Sequence, residues 1–180
     1  EMLAGLIFHE LAHQVVYVKN ESAFNESFAT FVEEEGVQRW LTSRGDKGAL
    51  AAYQSSRVWR SWIVNQVTAH RTSLADLYAT KFAPEIMRKQ KRLLFARFRE
   101  RYERERSAGQ HPGTWDHWVG GEPNNAKLNA IVTYQQFVPA FQHLFELSGS
   151  KFPIFLDKVR VLGDVTPAER LDRLVKLMSL

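Results

Sequence analysis

The chain has no cysteine, only six prolines in 180 residues, and no apolar run near the ~20 residues that a membrane-spanning helix needs. The missing cysteines exclude a disulfide framework, and they suit either redox compartment. No basic stretch leading into an apolar core and a cleavage site opens the sequence, so no signal peptide is visible. Strand-like alternation is nearly absent as well. What remains is an ordinary globular composition. Hydrophobic residues make up 44% and charged residues 24%, which excludes the disordered and collagen-like classes and is enough for a packed core. A net charge of +4 and a pI near 9.4 are mildly basic and do not by themselves point to nucleic acid.

The periodicity is helical almost throughout and predicts an all-α fold in one domain spanning 1–180. A first helix over 1–19 reverses at Lys19-Asn20-Glu21-Ser22 into a second over 23–41, which closes near Arg44-Gly45-Asp46. Together they make a helix pair over 1–45. Trp59, Trp62, Ile63, Val67, His70, Leu74, Leu77, Tyr78 and Phe82 then recur mostly at steps of three and four. That spacing predicts one long helix, or two broken near Thr72-Ser73. Pro84 suits a helix start, and 85–106 carries Met87, Leu94, Phe98 and Tyr102 on one stripe.

Residues 107–123 hold four Gly, two Pro, two Trp and two His, which predicts a long loop of the kind that is often functional. Asn124 or Asn125 can cap a helix reaching about Leu147 that Pro139 is expected to kink or interrupt. A short helix follows at 152–162. Thr166-Pro167-Ala168-Glu169 then places a cap, a first-turn proline and an acid in the order that starts a helix. Because Glu1-Met2-Leu3 lies already inside a helical pattern, the sequence is expected to be the C-terminal part of a longer protein, with any targeting signal upstream.

The chemistry concentrates in His9-Glu10-Leu11-Ala12-His13. Histidines at i and i+4 share one helix face about 6 Å apart, close enough for both imidazoles to reach one zinc ion. Zinc in such a setting lowers the pKa of a bound water toward about 7, and Glu10, beside the first histidine, is the expected general base. Leu6, Ile7 and Phe8 before the motif and Val15, Val16 and Val18 after it predict a buried helix. There two histidines and a glutamate are costly unless something binds them. The competing reading is a pair of satisfied core histidines.

A third ligand is required. Asn25-Glu26-Ser27-Phe28-Ala29 supplies it if the chain reverses after the first helix and brings Glu26 back beside the histidines. The competing reading of Glu26 is a first-turn acid favoured by the helix dipole. Glu33, two turns further along the same face, is either the ligand or a group that orients a histidine. Glu34 and Glu35 are expected to face solvent.

The run Asn25–Glu33 resembles the Asn-Glu-Gly-Phe-Ala segment of the aminopeptidase N-type gluzincins, with Ser27 where they have Gly and a shorter spacer. The chain as a whole resembles more closely a bacterial family of zinc aminopeptidases. In that family His-Glu-Leu-Ala-His is followed by Tyr-Val-Lys, Phe-Asn-Glu-Ser-Phe-Ala, Asn-Asn-Ala and Thr-Tyr. These are His9–His13, Tyr17–Lys19, Phe24–Ala29, Asn124–Ala126 and Thr133-Tyr134 here, a likeness spanning roughly residues 1 to 145. The resemblance implies a peptide substrate, one Zn2+ held by His9, His13 and Glu26, and an envelope or periplasmic location through an export or lipoprotein signal. It also implies a substrate-binding sheet ahead of the active helix, which the eight residues before His9 cannot supply.

By the same resemblance Tyr134 is the candidate to stabilise an oxyanion, against a residue packed by its ring with its hydroxyl at the surface. Asn124 and Asn125 are candidates to hydrogen-bond the substrate, against simple helix capping. A zinc-binding domain that hydrolyses nothing and serves interaction is the alternative function.

Three further features need a reading. His70 lies on an apolar stripe and is expected to be an interior histidine. His111, Trp115, His117 and Trp118 either form a lid or anchor the loop to the core, and anchoring is favoured. The basic run from Arg88 to Arg106 is interleaved with Glu100, Glu103 and Glu105, which predicts ion pairs on a solvated helix face and no nucleic-acid partner. The competing reading is a patch that binds an anionic partner, nucleic acid or lipid, with strong salt dependence.

Overall fold

Nine α-helices and one 3₁₀ turn follow one another with no strand among the described residues, so the fold is all-α. The computed structural model describes residues 1–109, 111, 113–121 and 124–179. The helices are α1 (Met2–Val15), α2 (Ser22–Arg44), α3 (Lys47–Tyr78), α4 (Pro84–Ala108), α5 (Asp116–Gly120), α6 (Asn125–Gln135), α7 (Val138–Glu146), α8 (Phe152–Asp164) and α9 (Pro167–Met178). Contacts gather the chain into two compact units, residues 1–54 with 133–180, and residues 55–132.

In the first unit α1 and α2 form an antiparallel pair. Their approach is close because two positions lack a side chain. A Cβ on Gly36 would fall 2.8 Å from the Phe8 ring, and one on Gly5 would fall 3.2 Å from Glu33 Oε1. α1 stops at Val15, a turn earlier than periodicity predicts, and Val16 is already extended. The reason lies across the turn. Buried Asn25 accepts a hydrogen bond from Val18 N–H (2.9 Å) and donates one to Val18 C=O (2.8 Å), so the backbone at Val18 is claimed by α2. Asn20 completes the reversal with a left-handed φ of 65°.

Phe24, Phe28 and Phe31 of α2 meet Phe141 and Phe145 of α7 and Phe155 of α8 in one phenylalanine-rich core. Arg170 of α9, 4% exposed, donates to the carbonyls of Leu162, Gly163 and Val165 at the end of α8 and pairs with Glu21 in the α1–α2 turn. Pro139 sits in the first turn of α7, so the helix predicted over 124–147 is two helices parted at Gln136-Phe137. At α9, Thr166 Oγ1 accepts from Glu169 N–H, as the cap signal predicts.

Two burial expectations fail in this unit. α1 is not a buried helix. Leu3, Leu6, Ile7, Leu11 and Val15 are 42–70% exposed, and only Gly5 and Ala12 are buried, because α2 covers one face of α1 alone. Glu34 is buried at 6% rather than solvent-facing. It stands three residues after Phe31 and three before Val37, on the stripe that α2 turns to the core. The Glu35 side chain is 12% exposed and ion-paired to Arg39 at 2.6 Å.

In the second unit the α3 face carrying Trp59, Ile63, Val67, His70 and Leu74 packs with Phe95, Phe98 and Tyr102 of α4. α3 does not break at Thr72-Ser73. Both hydroxyls donate back to carbonyls four residues earlier and stay compatible with a helix. Phe82 falls outside α3 and is 49% exposed. His70 is interior, ringed by Phe95 at 4.4 Å and Phe98 at 5.2 Å. Its Nε2 has no partner among the described residues. Burial, aided by the charge of Arg101, lowers its pKa to about 4.

The predicted long loop contains a 3₁₀ turn at Gly113–Trp115 and the short α5. Trp115 and Trp118 pack against the second unit's core, and His111 stacks on Trp59 at 4.2 Å, so these three anchor the segment, while His117 is exposed. Gln110, Pro112, Glu122 and Pro123 of that loop lie outside the described residues. The interleaved Glu–Arg pairs predicted along α4 are not formed among the described residues; Arg106 pairs with Asp116 of α5 instead.

Candidate metal centre

The α1–α2 pair creates the site. His9 and His13 are one turn apart on α1, with ring centroids 5.0 Å apart, and Glu26 enters from the first turns of α2. Glu26 Oε2 stands 3.4 Å from His9 Nε2 and 3.8 Å from His13 Nε2. One ligand atom from each of the three residues lies within 4.8 Å of the others, making this the one such group found among the described residues. Two ligands each about 2.0–2.1 Å from a tetrahedral ion are about 3.3–3.4 Å apart. The 3.4 Å between Glu26 and His9 matches that spacing, and the 3.8 Å between Glu26 and His13 is a little wider.

His9 Nδ1 is 3.2 Å from Glu33 Oε2. An ionised carboxylate only accepts, so the ring nitrogen that faces Glu33 is the donor in that contact. On the other side of the ring Nε2 faces Glu26 Oε2 at 3.4 Å, a contact that either a ring proton or a bound cation would satisfy. Glu33 is thus brought to the site as the orienting partner of His9 and not into the triad, and glycine at position 5 leaves room for its carboxylate. His13 Nδ1 has no such partner among the described residues. The three side chains are partly covered, at 13%, 19% and 24% exposure.

Glu10 is exposed on α1. Tyr134, near the end of α6, comes to the same place. Its ring stacks over His9 at 6.3 Å, and its hydroxyl hydrogen-bonds the Glu26 carboxylate. The negative field of Glu26 first, then burial, that hydrogen bond and the charge of Glu10 raise the phenol pKa above its ordinary value. Ser27, fully buried, holds Tyr134 in register: its hydroxyl accepts from Phe137 N–H at 3.1 Å and reaches the Thr133 carbonyl at 3.5 Å.

Asn124 and Asn125 belong to the second unit and are engaged locally. Asn124 Oδ1 accepts from Lys127 N–H at 2.9 Å and caps α6, and Asn125 Oδ1 accepts from Tyr78 OH at 3.4 Å.

Four contributors have no role in the motif reading, though two of them stand inside the motif: Gly5, Asn25, Ser27 and Gly36. Asn25 and Ser27 flank Glu26 in the sequence, which was the one available signal. The glycines declare themselves only through what approaches them. A family model described as "Putative aminopeptidase" matches residues 1–174. No curated protein and no solved structure matches the chain.

Proposed function

The chain belongs to the family described as "Putative aminopeptidase", and on that basis we propose that it is a zinc-dependent peptidase that hydrolyses peptide bonds at a free N-terminus. The observation that carries the reading is the convergence of His9, His13 and Glu26 donors within 4.8 Å. Two imidazoles and one carboxylate suit zinc, with a fourth position left for water or substrate. A bound zinc would supply Lewis acidity to the attacking water and the scissile carbonyl.

The chain's own residues do the rest. Glu10, next to His9, takes the proton of the attacking water and returns it to the leaving amine. Tyr134 donates its hydroxyl to the oxygen that becomes negative. Glu33 fixes the tautomer and the ring angle of His9.

Metal content by mass spectrometry, on protein purified without chelator or immobilised nickel, tests the centre. About one zinc per chain is expected from a three-residue catalytic site, and His9→Ala should lose it. Glu10→Gln should keep the metal and lower kcat on amino-acid amides by about 10²–10⁴-fold. No zinc after zinc is added back, or full turnover in Glu10→Gln, overturns the reading. Bound zinc without turnover on any peptide leaves the non-hydrolytic domain.

A further inference from the structure

The charge of this protein is divided between its two units. Residues 55–132 carry fourteen Lys and Arg against seven Asp and Glu, while residues 1–54 with 133–180 carry ten against thirteen. Within the basic unit the excess is concentrated further. From Lys81 to Arg99 there are seven cations and one acid, Glu85. Glu100, Glu103 and Glu105 come only after that stretch.

Lys91 lies over the Tyr78 and Phe95 rings, but most of these cations are not used inside the fold. Arg88, Lys89, Arg92, Arg97 and Arg99 are exposed, and none has an ion pair among the described residues. Five unpaired like charges on a short helical segment repel one another, so the arrangement is costly unless an external anion compensates it.

The same surface presents apolar side chains. Ile86 is 47% and Leu93 42% exposed. They are seven residues apart, hence on one face, about 200° round the helix from buried Phe95 when measured from Leu93. Lys89 lies between them on that face and Arg97 one turn beyond. Phe82, 49% exposed, stands two residues before the helix. A phosphodiester groove has no use for isoleucine and leucine at the point of closest approach. A lipid interface uses both components: branched side chains enter the acyl boundary while lysine and arginine stems reach the headgroup phosphates.

We propose that the first half of α4, from Pro84 to about Arg99, docks the protein on an anionic lipid surface, with Ile86 and Leu93 entering the interface and Lys89, Arg92 and Arg97 contacting phosphates. These residues include none of those at the metal centre, and the proposal does not rest on the peptidase reading.

Co-sedimentation of the 180-residue chain with phosphatidylcholine vesicles containing phosphatidylglycerol, against vesicles of phosphatidylcholine alone, tests it. Partition onto the anionic vesicles only, falling steeply with added salt, is expected. Removing one such cation should weaken partition about fivefold, so reversing Lys89, Arg92 and Arg97 to Glu together should weaken it by at least about a hundredfold. Ile86→Ser with Leu93→Ser should weaken binding without altering charge, and it decides the matter alone if the charge-reversal variant does not fold. Equal partition onto neutral and anionic vesicles, or unchanged binding in the serine pair, overturns the proposal. The second result combined with tight binding of single-stranded RNA would assign the helix to nucleic acid.

Discussion

His9 uses both ring nitrogens: Nε2 toward Glu26 and Nδ1 toward Glu33. An orienting carboxylate on the far nitrogen is commonly worth about 10–100-fold in metal affinity. Glu33→Gln should therefore weaken zinc binding by about that factor while leaving the three ligands in place, as titration against a chromogenic chelator would show. Gly5→Ala should act in the same direction, because its Cβ falls 3.2 Å from Glu33 Oε1 and must push the carboxylate. If either variant binds zinc as tightly as the parent protein, Glu33 is not holding His9. The ligand spacing is legible from letters alone, since i and i+4 share a helix face. The role of Glu33 is not, because a carboxylate two turns from Glu26 could equally have been the third ligand.

At the level of elements, the critical joint is the turn between α1 and α2. Asn25 closes it through two hydrogen bonds to one residue, Val18. Asn25→Ala strands a part-buried N–H and C=O, at a cost of about 1–3 kcal/mol. For a chain of this size that corresponds to a fall in Tm of about 3–10 °C. Calorimetry of the metal-free protein would check it, and an unchanged Tm would mean that the turn is held by the packing of Phe24 and Phe28 alone. Helix starts and stops at Pro84, Pro139 and Thr166 can be read from the sequence because each is a local rule about a missing N–H or a capping oxygen. The early end of α1 cannot, because a residue ten positions further on enforces it.

Across the molecule the two units are built from different aromatics. Trp59, Trp62, Trp115 and Trp118 all lie in the second, and most phenylalanines lie in the first. Tryptophan fluorescence therefore reports mainly on the unit that contains His70. The pKa of His70 is about 4 in the folded protein, against about 6.5 when unfolded. The unfolded chain binds the extra proton, so this contribution to stability is complete above pH 6.5 and is lost as pH falls toward 4. It amounts to something on the order of 2–3 kcal/mol. Urea unfolding followed by tryptophan emission should shift to lower midpoints over that interval, and His70→Leu should flatten the shift. A parallel shift in both proteins would move the acid sensitivity to other groups.

Periodicity, caps and the His-Glu-x-x-His spacing made the all-α class and the His9–His13 pair of the candidate metal group readable in advance, because each follows from the fixed geometry of a single helix. Packing decided what those rules leave open. The apolar residues of α1 satisfy the same helical pattern whether covered or exposed, and α2 covers only one face of them. Glu34 carries a charge that suggests solvent, yet its register on α2 turns it inward. Tyr134 and Glu26 are more than a hundred residues apart in the chain and meet only where Ser27 ties α2 to the end of α6. Local geometry is written in neighbouring residues; which distant side chain arrives at a given face depends on how all the faces are filled together.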